Sequence, residues 1–191
     1  MKVAGRAIVA AFFALMAVQA AANEFQAPLE ELAHGKISTI VGNPAVIAAV
    51  KAMNEKTAGL DQADIDALDK QWRAEVDAGG GALIEKTLGN DLSGYLGGEK
   101  EAAGGQFTEI FVMDARGLNV GQSDVTSDYW QGDEAKWSET YKVGPDALHI
   151  SEIELDESTQ TYQSQVSVPV VDPETGAVIG AATFGVDVST L

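Results

Sequence analysis

In the first part of the chain, apolar residues recur at intervals of three and four, the period of an amphipathic helix. The first such set is Leu29, Leu32, Ala33, Ile37, Ile40 and Val41. Asn43 followed by Pro44 is a typical helix start, an N-cap before a first-turn proline, and Asp61 is a second N-cap candidate. Residues 23–78 therefore form a predicted helical region of three helices, and Trp72 lies on the apolar stripe of the third.

Residues 82–106 combine leucines that favour burial with glycines that interrupt any long helix. The pattern predicts short helical turns and a loop.

From residue 107 onward the pattern is that of strands. Predicted strands cover 107–114, 118–123, 147–155, 161–171 and 177–187, with turns at 115–117 and 172–176. Residues 161–171 alternate most cleanly, with Tyr162, Ser164, Val166, Val168 and Val170 on one face. Strands joined by short turns favour an antiparallel sheet, and helices followed by strands favour the α+β class.

The first residues have the features of a secretory signal. Lys2 and Arg6 precede an apolar run over 7–18, and three alanines at 20–22 offer a cleavage site. We expect a signal peptide over 1–22, cleavage near Ala22, a single domain over 23–191, and a periplasmic or secreted protein. The alternative is an uncleaved membrane anchor, although the apolar run is shorter than the roughly 20 residues that a spanning helix needs.

Composition removes several function classes. The chain has no cysteine, which excludes disulfides and thiol chemistry, and its net charge of −17 disfavours nucleic acid and anionic lipid as partners. His34 and His149 are far apart and lack the spacing of metal ligands. No catalytic motif is visible. We therefore expect no metal, no cofactor and no catalytic residue, and a protein that is not an enzyme.

Aromatic residues are concentrated in one polar stretch. Residues 127–137, SDYWQGDEAKW, hold two of the three tryptophans and one of the four tyrosines. Such residues in a loop either contact a ligand or pin the loop onto the sheet. Both interpretations remain open.

Five segments in this order resemble a known family. They are Asn43-Pro-Ala-Val-Ile, the hairpin over 107–120, Asp128-Tyr-Trp-Gln-Gly-Asp-Glu, Gln165-Val-Ser-Val-Pro-Val, and Gly180-Ala-Ala-Thr-Phe-Gly-Val-Asp-Val. Together they resemble the extracytoplasmic single-Cache (PDC, PAS-like) sensory domains of signal transduction and chemotaxis. The resemblance covers 23–191 and implies a five-stranded antiparallel sheet with a long helix on one side. It places a ligand against the other face, beneath the segment 124–146.

The resemblance also implies which residues bind the ligand. Tyr129, Trp130 and Trp137 would be lid and wall residues of the pocket. Amino-acid-binding members carry an arginine shortly before the paired aromatics, whereas this chain has Thr126-Ser127-Asp128 there. Two ligand types remain: a cation held by Asp128, Asp133 and Asp146, with cation–π attraction to the indoles, or a neutral molecule held by Gln165, Ser167 and Thr183.

The functional expectation follows from these segments. In signalling relatives a transmembrane helix follows the last strand, but here the sequence ends four residues after Asp187. We expect a small-molecule-binding protein that presents or buffers its ligand for a separate membrane receptor or transporter. The alternative is a ligand-free structural or protein-interaction module, with a homodimer formed through the N-terminal helix.

Overall fold

The computed structural model describes residues 25–156 and 161–191. The expected signal peptide over 1–22 lies outside these residues. The described helices are α1 (Gln26–Leu32), α2 (Ser38–Val41), α3 (Pro44–Thr57), α4 (Gln62–Asp77), α5 (Ala82–Leu88), α6 (Asp91–Ala102) and α7 (Ala135–Ser138). Within residues 25–156 and 161–191, no helix is both long enough and apolar enough to cross a membrane.

A π-helical segment, Ala33–Ile37, joins α1 to α2 into one continuous N-terminal helix. Leu29, Ala33, Ile37 and Val41 are spaced by four residues, and all four are buried. In a regular α-helix each step of four overshoots a full turn by about 40°. The wider π turn offsets this drift and keeps all four side chains against the sheet.

The predicted helix starts are confirmed. The Asn43 side chain accepts a hydrogen bond from the backbone N–H of Ala45, and Pro44 opens α3. Asp61 caps α4 in a reciprocal capping box with Asp64. Trp72 is fully buried, as its position on the helical stripe predicted.

Residues 82–106 differ from the prediction. The structure forms two helices here, and α6 is 12 residues long although it contains Gly94, Gly97 and Gly98. Asn90 caps α6, while Leu92 and Leu96 are buried against the main core. Burial of these leucines outweighs the helix-breaking tendency of the glycines, which is only about 1 kcal/mol each.

The strands form one antiparallel sheet. Its members are β1 (Phe107–Met113), β2 (Asn119–Gln122), β3 (His149–Ile150), β4 (Glu154–Asp156), β5 (Thr161–Val171) and β6 (Val178–Asp187). The order is β2-β1-β6-β5-β3, and β4 also pairs with β5. The strand predicted over 147–155 is thus interrupted. Its two parts, β3 and β4, pair with β5 one after the other along the same edge. The predicted α+β class and five-position antiparallel sheet are confirmed.

The two faces of the sheet have different coverings. One face packs against the N-terminal helix, α3 and α6 through Ile110, Val166, Val170 and Phe184, among other buried residues. The opposite face carries Phe111, Met113 and Ala181, which pack against Trp137 of the connection between β2 and β3. This second face holds the candidate site.

Candidate functional site

A cavity of about 470 Å³ lies on the second face of the sheet, beneath the start of the β2–β3 connection. Its volume is within the range of small-molecule sites. Strands β1 and β5 form its floor, and Val125–Ser127 form its roof. The lining residues are Glu109, Phe111, Val125, Thr126, Ser127, Gln131, Lys136, Glu154, Leu155, Gln163 and Gln165.

Gln131 supplies an unused hydrogen-bond acceptor at this cavity. Its side chain is only 2% exposed, and its Nε2 donates to the carbonyl oxygen of Asp128 at 3.0 Å. This bond fixes the orientation of the amide. The Oε1 atom is buried and has no hydrogen-bond partner. A buried acceptor without a partner is costly, so a donor from a ligand would stabilise this site.

Charged groups at the cavity are partly neutralised by one another. Lys136 Nζ lies 2.9 Å from a carboxylate oxygen of Glu134 and 5.4 Å from the centre of the Phe111 ring. Glu109 accepts a hydrogen bond of 2.9 Å from Gln165 Nε2. The cavity therefore presents one cation that already has an anionic partner, together with the carboxylates of Glu109 and Glu154.

The roof of the cavity is attached to two helices. Lys100 of α6 pairs with Asp124 at 2.6 Å, and Arg73 of α4 pairs with Asp128 at the same distance. Between these points, Trp72 Nε1 donates to the carbonyl oxygen of Thr126 at 2.8 Å. We call residues 124–128 the roof strip. It is held at both ends and in its middle by the helical layer.

Tyr129 and Trp130 lie on the helical side of the roof strip, away from this cavity. Tyr129 stacks on Trp72 with 5.2 Å between ring centres, and Trp130 Nε1 donates to the carbonyl oxygen of Arg116 at 2.8 Å. Asp69 accepts the backbone N–H groups of both residues. This geometry is loop packing, and ligand contact by these two residues stays a prediction.

Burial raises the pKa of Tyr129 to about 12, so its hydroxyl is neutral at ordinary pH. Tyr129 lines a separate cavity of about 330 Å³, formed by α3, the start of α6 and β2.

Two of the predicted aspartates, Asp128 and Asp133, lie near Arg73, and the third lies elsewhere. Asp128 is held by Arg73, an arginine that the sequence does not place near the aromatics but that the fold brings there from α4. Asp133 is exposed. Asp146 lines another cavity of about 330 Å³, between the N-terminal helix and β5. Asp146 thus lines a cavity that the other two aspartates do not line, and cation binding by these residues stays a prediction.

Trp137 and the predicted strand residues Gln165, Ser167 and Thr183 lie on the second face of the sheet, opposite the N-terminal helix. Trp137 covers Phe111, Met113 and Ala181, and its Nε1 donates to the carbonyl oxygen of Asp114 at 3.0 Å. Ser167 and Thr183 are fully buried and bond to each other at 2.9 Å. Of the nine predicted positions, all within the described part of the chain, Gln165 alone lines the cavity.

Asp114 links the β1–β2 hairpin to α3. It is fully buried, accepts the backbone N–H groups of Arg116 and Leu118, and accepts the Thr57 hydroxyl at 2.7 Å. Burial raises the pKa of Asp114 above its ordinary value, although these hydrogen bonds oppose the shift. The carbonyl oxygen of the same residue holds Trp137, so Asp114 positions one wall of the second face.

Sequence reasoning missed Gln131, Lys136 and Glu109 as lining residues. Gln131 and Lys136 lie within the aromatic stretch, but glutamine and lysine in a loop carry no specific signal. Across residues 25–156 and 161–191, no group of three or more histidine, aspartate or glutamate side chains is arranged to hold a metal ion.

No protein-family model matches the chain, and no curated protein matches it in sequence. Solved structures similar to it are sensory domains. The sensory domain of the Campylobacter jejuni chemoreceptor Tlp3 with isoleucine bound has 13% identity and a TM-score of 0.39, over 87% of this chain and 64% of that one. The sensor domain of the V. cholerae histidine kinase DctB has 17% identity and a TM-score of 0.38, over 87% and 58%.

A third similar structure is the ligand-binding domain of the Pseudomonas aeruginosa PAO1 amino-acid chemoreceptor PctC in complex with GABA. It has 16% identity and a TM-score of 0.41, over 84% of this chain and 62% of that one. The chain thus spans less than two thirds of these three structures. The resemblance to extracytoplasmic sensory domains that the sequence indicated is also found among solved structures.

Proposed function

We propose that this chain is a sensor-type binding domain, not an enzyme, that holds a small molecule in the cavity beneath the roof strip. It works outside the cytoplasm after removal of residues 1–22. There it presents the ligand to a separate membrane receptor or transporter, or buffers it.

The cavity with its unpartnered acceptor supports this proposal. The volume of about 470 Å³ suits a small molecule, and Gln131 Oε1 is a buried polar atom without a partner in the described structure. The cavity also lies where the resemblance to Cache domains places a ligand, between the sheet and the segment after the second strand.

The test begins with the full chain, expressed with its own first residues and purified from the periplasm. An intact mass that starts after Ala22 supports the signal peptide, and a mass that includes residues 1–22 contradicts cleavage. The purified protein is then screened by thermal shift against amines, carboxylates, amino acids, purines and quaternary ammonium compounds. A ligand at a hundred times its dissociation constant adds about 2.7 kcal/mol to the free energy of unfolding.

A variant at the cavity mouth locates any ligand found. Val125 lines the cavity and is 47% exposed, so Val125→Trp fills the opening without changing the core. Val143 is 69% exposed and does not line the cavity, so Val143→Trp is the matched control. A hit that is lost in the first variant and kept in the second supports the site. A well-folded protein that no compound stabilises contradicts the proposed function.

A protein-interaction module is the second candidate, and one exposed apolar pair favours it. Leu155 and Tyr162 are cross-strand neighbours on β4 and β5, and they are 46% and 60% exposed. A stoichiometric partner that co-purifies and is lost in Tyr162→Ser would support this function. Sedimentation equilibrium of the same preparation tests the homodimer expected through the N-terminal helix.

A further inference from the structure

We propose that the ligand of this cavity is a small primary amine on a short alkyl chain, with its ammonium group held by Gln131 and Glu109. This inference rests on the proposed function and specifies the ligand class of the same site. It replaces the three aspartates predicted from the sequence with two other residues.

The first support is a set of hydrogen-bond acceptors at the cavity. Gln131 is 98% buried, because only 2% of it is exposed, and its free atom is the acceptor Oε1. Glu109 and Glu154, which line the same cavity, are carboxylates that accept hydrogen bonds only. An ammonium group carries three donors and no acceptor, so it complements such a site.

The second support is the ion pair between Glu134 and Lys136, the cation at the cavity. Its side chain is 14% exposed and its ammonium lies 2.9 Å from Glu134. A ligand carboxylate would have to compete with Glu134 for this lysine. An ammonium does not compete with Glu134, and at Glu109 it adds to the hydrogen bond from Gln165, since a carboxylate accepts several donors. The net charge of −17 on the chain attracts cations. The site therefore favours an amine over an acid or an amino acid.

The third support is the apolar part of the lining. Phe111 is 1% exposed and forms part of the floor, and the partly exposed side chains of Val125 and Leu155 lie at the same cavity. These side chains suit a short alkyl chain, and the Phe111 ring already attracts one ammonium group, that of Lys136, at 5.4 Å. An alkyl amine places its chain on these side chains and its ammonium at Gln131 and Glu109, because Lys136 already occupies the Phe111 ring.

The experiment is isothermal titration of the secreted protein with n-butylamine, butyric acid and 2-aminobutyric acid. These probes each have four carbon atoms and differ mainly in their charged groups. We expect n-butylamine to bind and the other two to bind at least about tenfold more weakly, because a charged hydrogen bond contributes about that factor.

Four variants test the assigned residues. Glu109→Gln keeps the shape and removes the charge, and it should raise the dissociation constant of n-butylamine at least about tenfold. Gln131→Met removes the acceptor and should raise it about fivefold or more. Gln131→Glu adds a negative charge at the cavity but loses the Nε2 donor to the Asp128 carbonyl oxygen, so its folding is checked by thermal unfolding; the folded variant should bind more tightly. Asp146→Asn, the same loss of charge at a different cavity, should change it less than about twofold, since exposed charges interact weakly.

The outcomes separate this inference from the proposed function. If butyric acid or 2-aminobutyric acid binds more tightly than n-butylamine and Val125→Trp abolishes that binding, the amine class is wrong and the binding function stands. If n-butylamine binds but neither Glu109→Gln nor Gln131→Glu alters its affinity, the assigned residues are wrong. If no probe and no screened compound binds the folded protein, the amine and the binding function both fail.

Discussion

Trp72 Nε1 and the carbonyl oxygen of Thr126 form a buried hydrogen bond of 2.8 Å between α4 and the roof strip. The same indole stacks on Tyr129, which follows the strip. Trp72 thus contacts both the cavity roof and the start of the aromatic stretch. Its ring is fully buried, so water cannot replace it as a donor.

Replacing this indole should destabilise the protein strongly. Trp72→Phe keeps an aromatic ring but leaves the Thr126 carbonyl without its donor and leaves a gap beside Tyr129. We expect a loss of about 2–3 kcal/mol in the free energy of unfolding, measured by urea denaturation. Trp130→Phe is the control, because its indole donates to Arg116 at an exposed position and its loss should cost about 1 kcal/mol or less. Equal losses in the two variants would contradict the role given to Trp72.

Asp69 should matter more for stability than the arginine it pairs with. Its Oδ1 accepts the backbone N–H groups of Tyr129 and Trp130, and its Oδ2 accepts Arg73 Nε at 2.8 Å. Asp69→Ala leaves two backbone donors unpaired, and we expect a loss of about 2 kcal/mol. Arg73 is 56% exposed, so Arg73→Ala should cost about 0–1 kcal/mol. Thermal or urea unfolding of both variants checks the order, and the reverse order would contradict it.

Asp114 should make the stability of the protein decrease as the pH rises. Burial raises the pKa of this carboxyl above its ordinary value of 3.8, so the folded state holds the proton more tightly than the unfolded chain. The stabilisation from this group is fully present below pH 3.8 and is lost as the pH rises through the raised pKa.

Asp114→Asn isolates this effect from the other carboxylates. The amide keeps an oxygen for the N–H groups of Arg116 and Leu118, and its Nδ2 can donate to the Thr57 hydroxyl, which itself donates to the carbonyl oxygen of Met53. Urea unfolding from acid to neutral pH should show that the wild type loses stability relative to this variant as the pH rises above 3.8. A constant difference across that range would contradict the prediction.

Replacement of each of two glycines by alanine should change the free energy of unfolding in opposite directions. Gly117 has φ +83°, and a Cβ there would lie 2.5 Å from the Gly132 Cα and 2.6 Å from its nitrogen. Gly117→Ala should therefore cost about 2–3 kcal/mol, because both strain and backbone contact oppose it. Gly97 lies within α6, and apart from the adjoining backbone of its own helix no atom lies within 4 Å of the position that an added methyl group would take, so Gly97→Ala should stabilise by about 0.5–1 kcal/mol. The urea concentration at the midpoint of unfolding shows whether each variant is less or more stable than the wild type.

Local features of the fold could be predicted from the sequence because they depend on neighbouring residues. Asn43, Pro44 and Asp61 act within one helical turn. The alternation along β5 places Val166 and Val170 in the core, although Tyr162 on the same predicted face is 60% exposed. The prediction over 82–106 contained too little helix, because burial of Leu92 and Leu96 in the core stabilises a helix that glycine disfavours.

The site could not be predicted to the same degree. The bond from Trp72 to Thr126 joins residues 54 positions apart, and neither residue signals the other. The aromatic stretch did mark the region of the roof, but Tyr129 and Trp130 turn to the helical side, while Gln131 and Lys136 from the same stretch line the cavity. Which side chains of an irregular segment face inward depends on packing, not on a sequence period.

The three attachments of the roof strip have a kinetic consequence. Attachment to Lys100, Trp72 and Arg73 opposes the swinging of the strip as a hinged lid, so we expect a ligand to exchange past side chains at the mouth of the cavity, such as Val125 and Leu155. Such side chains rotate in picoseconds to nanoseconds, much faster than the opening of a loop or domain. Association should therefore follow a single exponential whose rate rises linearly with ligand concentration, without the plateau that a slow conformational step imposes.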